Sequence, residues 1–214
     1  ERPLYYATTV PGSTYIGLED FFVLEGMAYR VSPIRIDAPA SGETGMVDTR
    51  EMYENMMNSF RWGNAGEDGV YLDENNRRLF DVFRRQFARL SQALVLEGDT
   101  VRALAAAEKG LVIVPPEKMP YDYFSIELAE ALAMAGERER AEDMFNAITD
   151  NALASLSFIA ALPDDKGYGL DYTVSVSLQA LLEVYRKATS LGMPALAERA
   201  SQELNRYYGE VRPG

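Results

Sequence analysis

Carboxylates supply most of the side chains in this chain that could do chemistry. Glu19, Asp20 and Glu25 fall within about two turns of a helix, a spacing at which paired carboxylates could do acid–base work at a sugar. Arg30 and Arg35 follow closely, so a solvated face or ion pairing is the plainer expectation. Asp73-Glu74-Asn75-Asn76 gathers oxygen ligands but lacks the alternating Asp spacing and central Gly of a calcium loop. It reads as a helix cap. Asp164, Asp165 and Asp171 flank a glycine loop and fail the same test. Ser41-Gly42-Glu43-Thr44-Gly45 lacks the Gly-Lys-Ser/Thr ending of a phosphate loop. The sequence contains neither histidine nor cysteine. That removes thiolate nucleophiles, Ser-His-Asp triads and nearly all zinc sites. The expectation is no catalytic constellation, no metal site and no cofactor.

Aromatic residues offer a second kind of chemistry. The single tryptophan, Trp62, stands in the glycine-rich stretch 61–69. Tyr121 and Tyr123 belong to the aromatic run 121–124. All three are candidate binding residues, since exposed rings can line a groove or stack on a sugar. The competing reading is packing, which is what buried aromatics usually do. Met52, Met56 and Met57 form a methionine stripe with Tyr53 and Phe60. Core packing is favoured there over an adaptable binding surface.

The elements that must hold these residues are mainly helical. Phe80, Phe83, Phe87, Leu90 and Leu94 recur at three- and four-residue steps, one face of an α-helix. Gly98 can take the left-handed conformation that ends a helix, and Asp99 or Thr100 can cap the next one. Ala103, Ala106, Ala107 and Leu111 carry the pattern to Pro115. The result is a helical hairpin whose small residues allow close approach. Aligning on Gly98, Gly136 and Gly192 puts Ala103, Ala141 and Ala197 five residues further on, with Leu94, Leu132 and Ala188 four before. This resembles tetratricopeptide hairpins, although the glycines lie 38 and 56 residues apart rather than at a strict period. Helices are expected over 48–60, 73–96, 100–114, 120–135, 137–162, 170–191 and 194–208. N-terminally, strands are expected over 4–10 and 27–36, a short helix over 18–25 and a loop over 37–47. The fold class is therefore mainly α, with tetratricopeptide-like helical hairpins and a small N-terminal β element. An α+β cap over 1–72 and a helical domain over 73–214 are the expected divisions.

Composition narrows the partners. The chain has 214 residues, 47% of them hydrophobic, enough for a sizeable core. A net charge of −12 repels nucleic acid and anionic headgroups. No apolar run is long enough to span a bilayer. A chain opening Glu1-Arg2-Pro3 reads as a piece of a longer protein.

Several stretches together carry a resemblance: residues 2–9, Gly17-Leu18-Glu19-Asp20, 24–30, Val47-Asp48-Thr49 with Met52-Tyr53, Trp62-Gly63, 71–78 and 115–124. They resemble the C-terminal soluble region of a bacterial family of large multi-spanning membrane proteins. That family, of unknown function, is itself similar to protein O-mannosyltransferases of the GT-C class. The resemblance covers most of 2–136. It implies that the enzyme-like part is a membrane region outside this chain, so no catalytic residue carries over. It also implies a position on the extracytoplasmic, periplasmic face. In that compartment Asp99-Thr100-Val101 matches a pattern that O-glycosylation systems accept, against which stands its reading as a helix cap. The expected function is a non-catalytic accessory domain. It would bind a protein or peptide partner through its hairpins, alongside the membrane domain of the same polypeptide. A carbohydrate-binding module built on the aromatic loops, or a purely structural tail, are the alternatives.

Overall fold

The computed structural model describes residues 2–36, 42–113, 115–163 and 169–210. It contains seven α-helices and a four-stranded sheet among those residues, a mainly α fold with a small N-terminal β element. Two compact units divide the chain, 1–114 and 115–214. The helical hairpin after residue 72 thus groups by contact with the N-terminal region, whereas the expected division at 72/73 followed sequence character.

In the first unit, β1 (Tyr5–Ala7), β2 (Phe22–Leu24), β3 (Ala28–Val31) and β4 (Met46–Val47) assemble in the order β1-β3-β2-β4. β3 pairs antiparallel with both neighbours, through Tyr6↔Tyr29 and Val23↔Arg30. β4 runs parallel to β2. The helix expected over 18–25 is absent. A 3₁₀ turn at Glu19–Phe21 leads directly into β2. All three β2 residues are buried. A central strand covered on both faces reads as an unbroken apolar run, which periodicity cannot tell from a buried helix. Gly26, expected to end that helix, instead turns β2 into β3. β4 likewise falls inside the expected loop 37–47, being only two residues long.

The sheet carries an aromatic cluster in which Phe22 stacks on Tyr29 at 5.2 Å and meets Tyr15 edge-on at 5.0 Å. Asp48 accepts from the Glu51 N–H and caps α1 (Thr49–Tyr53). The helix then widens into a π turn over Glu54–Ser59. Met52 and Met56 are fully buried, so the methionine stripe is core. Asp73 caps α2 (Glu74–Leu96) by accepting from the Asn76 N–H at 2.8 Å, as the cap reading of 73–76 requires.

α2 packs on α3 (Thr100–Ile113) through the small residues Ala103, Ala106, Ala107 and Gly110, all buried. The Ser91 hydroxyl donates to the Ala103 carbonyl at 2.8 Å. A Cβ at Gly110 would stand 2.9 Å from the Phe87 Cβ. Arg89 ties α2 to the sheet. Its Nη2 donates to the Thr44 and Gly45 carbonyls at 2.9 Å, its Nη1 to the Tyr29 hydroxyl at 3.3 Å. Its Nε faces Glu43 Oε2 at 2.6 Å.

In the second unit, the helix expected from residue 120 starts later. A 3₁₀ turn at Tyr123–Ser125 precedes α4 (Ile126–Met134), because Asp122 and Ser125 form a capping box that fixes the chain there. α5 (Arg138–Ala160), α6 (Asp171–Ser190) and α7 (Pro194–Glu210) follow. α4 packs on α5, α5 on α6, and α6 on α7. Polar ties cross between the hairpins. Lys187 pairs with Glu130 at 2.6 Å, Arg138 Nη1 donates to the Leu191 carbonyl at 2.7 Å, and Arg199 reaches Asn146 at 2.7 Å.

All three hairpin glycines end their helices as expected, with φ of 83° at Gly98, 101° at Gly136 and 66° at Gly192. Asp99 alone caps α3. Its Oδ1 accepts from the Arg102 N–H at 3.0 Å and its Oδ2 pairs with the Arg102 guanidinium. The exposed Thr100 hydroxyl takes no part.

Two predictions follow from this packing. Ala normally stabilises a helix by about 1 kcal/mol over Gly, yet Gly110→Ala is expected to destabilise because Phe87 occupies the space. Ala103→Leu should cost about 1–3 kcal/mol by the same overpacking. Urea denaturation of both variants checks this. The second prediction concerns the cap. Hydrogen bonds from the Arg102 backbone and side chain hold the Asp99 carboxyl below its ordinary value. With the folded value the lower one, the cap stabilises fully above the ordinary carboxylate range of about 4. That contribution fades as pH falls through the folded value. Asp99→Ala should therefore lower the melting temperature at neutral pH, with a deficit that shrinks in acid, while Thr100→Ala leaves melting unchanged. Thermal denaturation followed by circular dichroism across pH tests both.

Candidate functional site

The second unit contains a cleft of about 250 Å³ between the 3₁₀ turn, α5 and α6. α5 contributes Ile148, Asn151, Ala152 and Ser155, and α6 contributes Tyr172, Thr173, Val176, Ser177 and Ala180. Each set recurs at three- and four-residue steps and so occupies one face of its helix. Small side chains along both faces leave room between the helices that larger ones would fill. The 3₁₀ turn supplies Asp122, Tyr123 and Phe124 as a third wall. Tyr123 and Phe124 meet edge-to-face at 5.4 Å. Tyr172 is 69% exposed at the rim.

Hydrogen bonding orders this wall. Asn151 Nδ2 donates to the Tyr121 carbonyl at 3.1 Å, fastening the turn to α5. Asp122 Oδ1 accepts from the Phe124 N–H at 3.1 Å, and the Asp122 N–H in turn meets Ser125 Oγ at 3.3 Å. Among the described residues no lysine or arginine lines the cleft, and the one lining carboxylate is bound into the turn. What the lining offers is aromatic surface together with amide and hydroxyl groups.

The three expected binding residues divide. Tyr123 lines the cleft. Tyr121 is half-buried and not among the described lining residues; its carbonyl accepts from Asn151. Trp62 belongs to the first unit and is half-buried there. Its indole N–H donates to the Met56 carbonyl at 2.9 Å, and its ring packs on Phe83 and Phe87 at 5.0 Å and Phe60 at 5.7 Å. That is the packing reading of the tryptophan. Asn151, Tyr172, Thr173 and Ser177 were not anticipated. Their signal was present: polar residues on helical faces that otherwise pack with Ala152, Val176 and Ala180.

Of the three N-terminal carboxylates, Glu25 and Asp20 pair locally, and Glu19 opens the 3₁₀ turn before β2. Glu25 Oε1 lies 2.5 Å from Arg30 Nε and Glu25 Oε2 accepts from the Tyr5 hydroxyl at 3.0 Å, while Asp20 pairs with Arg35. Glu43, Thr44 and Gly45 engage Arg89. Ser41, Asp164 and Asp165 lie outside the described residues; Asp171 is the first residue of α6. Among the described residues no group of three or more acidic side chains stands close enough to hold a metal ion. No described helix is long and apolar enough to cross a membrane.

Residues 1–51 match the family described as TMEM260-associated domain 2, which relates to O-mannosyltransferase-like proteins. The match covers the sheet and the start of α1; the cleft lies outside it. No curated protein and no solved structure is significantly similar to the chain.

A packing role for Trp62 has a measurable consequence. Trp62→Ala should destabilise the first unit by about 2–3 kcal/mol, at the lower end for loss of a large aromatic because the ring is half-buried. Since Trp62 is the only tryptophan, its fluorescence isolates it. Added oligosaccharide should leave the emission unchanged, while urea should shift it to the red.

Proposed function

We propose that this chain is a non-catalytic accessory module of a membrane glycosyltransferase-like protein. It acts at the extracytoplasmic face and binds polypeptide between tetratricopeptide-like hairpins. The match to TMEM260-associated domain 2 supports the accessory role and the link to O-mannosyltransferase-like chemistry. On this reading the sugar transfer belongs to the membrane region of the same polypeptide, and this chain holds an acceptor or a partner beside it.

The observation that carries the binding role is the cleft itself. Pockets that take organic ligands combine apolar surface with a few placed polar groups. Here Ile148, Ala152, Val176 and Ala180 provide the floor, Tyr123 and Phe124 a wall and Tyr172 a rim. With no cation among the described lining residues, and within a chain of net charge −12, the cleft disfavours phosphates, nucleotide sugars and acidic peptides. Neutral and basic peptides fit its charge. One observation favours a carbohydrate instead: the Tyr172 ring is mostly exposed at the rim, as a sugar-stacking platform would be.

The test is binding of the 214-residue chain to a phage-displayed library of short unstructured peptides and, in parallel, to a glycan array. The expected result is selection of neutral or basic peptides, weakened at least about fivefold by Tyr172→Ala. Melting should be little affected, because the ring is mostly exposed. Binding to glycans alone would transfer the cleft to the carbohydrate reading, and binding to neither would leave a structural tail.

A further inference from the structure

We infer that Asn151 reads a backbone amide of an extended polypeptide lying in this cleft, a step that rests on the cleft being the binding site. The orientation of its side-chain amide is chemically fixed. The Tyr121 carbonyl can only accept, so the group 3.1 Å from it must be Nδ2. The other end of the amide, Oδ1, accepts nothing within the described chain, on a residue that lines the cleft. Ser155, one turn further along α5, directs its proton to the Asn151 carbonyl at 3.0 Å, which leaves its oxygen as an acceptor. The α5 wall therefore presents acceptors.

The α6 wall presents donors. α6 starts at Leu170 without a side-chain cap, and its first intrahelical bond is Val174 N–H to the Leu170 carbonyl. Tyr172 and Thr173 line the cleft from the first turn of α6, and the Thr173 hydroxyl can donate into it. Ser177 lines it one turn on. It is only 7% exposed, yet its hydroxyl makes no hydrogen bond to the described chain. That hydroxyl can donate to a ligand lying in the cleft.

Acceptors on one wall and donors on the other match the trans peptide group. Its N–H and C=O point in opposite directions within a rigid plane. With the N–H on Asn151 Oδ1 and the C=O toward α6, one peptide unit bridges the cleft, and side chains of the bound segment rest against Tyr123 and Tyr172. A sugar fits this pattern less well. Adjacent sugar hydroxyls are commonly gripped by both ends of a planar amide, and here Nδ2 is already engaged by Tyr121. The charge of the lining adds that the segment is neutral or basic.

The experiment is a coupling cycle. A peptide selected on the chain by phage display is resynthesised with a single N-methyl group at each amide in turn, and each version is titrated against wild type, Tyr172→Ala and Asn151→Ala. The expected result is one amide whose methylation weakens wild-type binding about tenfold, the size of one buried hydrogen bond. The same methylation should have little effect on Asn151→Ala, whose own affinity is already lowered. Melting of Asn151→Ala reports separately on loss of the Tyr121 tie. Binding that Tyr172→Ala weakens but that shows no amide coupled to Asn151 overturns this inference and leaves the cleft reading intact. A peptide insensitive to Tyr172→Ala, or no peptide bound at all, overturns both.

Discussion

Three glycines in the left-handed conformation govern how this chain folds back on itself. At Gly98 the N–H bonds the Val95 carbonyl while the next N–H, of Asp99, bonds the Leu94 carbonyl. Gly136 and Glu137 repeat the pattern on Ala133 and Leu132, and Gly192 and Met193 repeat it on Thr189 and Ala188. Each closure satisfies carbonyls that the helix end would leave without partners. A side chain at that backbone angle would meet steric strain rather than a neighbour, since at Gly98 and Gly136 nothing lies within 4 Å of a built Cβ. The glycine is therefore there for its backbone angle. Because the reversal is sharp, the flanking helices run antiparallel and in contact, and the residues before and after the turn, Leu94 with Ala103 for example, become core together.

That constraint is local, which is why it could be read from the sequence. A glycine at a break in apolar periodicity, with Ala at fixed distance beyond, was enough to place all three hairpins. The elements that escaped are those whose identity is decided by distant partners. Phe22, Val23 and Leu24 become a strand because β3 and β4 flank them. Met46 and Val47 become a strand only by lying beside β2. The π turn at Glu54–Ser59 has no pattern of its own. It is held by tertiary contacts, in which the Asn55 side chain donates to the Glu25 carbonyl and the Trp62 indole to that of Met56.

Arg89 shows the same division in energetic form. It sits buried beside the apolar stripe of α2. The structure uses it to hold the 43–45 segment against the sheet, through two carbonyls, a carboxylate and a tyrosine hydroxyl. A guanidinium is suited to this because its donors fan out in a plane and stay charged. Burying such a charge is favourable only when its donors are matched, so Gly45 must approach closely. A Cβ there would lie 2.9 Å from the Tyr29 ring. One arginine and one glycine, far apart in sequence, are thus a single design element, and neither is interpretable alone.

The cleft was illegible for a related reason: it is a space between helices, and sequence patterns describe faces. What the sequence does contain is an inconsistency. The α5 and α6 faces that meet here carry Asn151, Ser155, Thr173 and Ser177 among Ile148, Ala152, Val176 and Ala180. For stability alone, larger apolar residues at the buried positions would close the gap. Chains whose local rules all agree fold most securely, and departures without a local compensation concentrate where function constrains the residue. At Asp122 and Ser125 the compensation is visible, since the capping box satisfies both. At Ser177, and at the Oδ1 end of Asn151, it is not. Those two groups face the same cleft, and a bound chain with one peptide group between them would complete the hydrogen bonding that the fold leaves open.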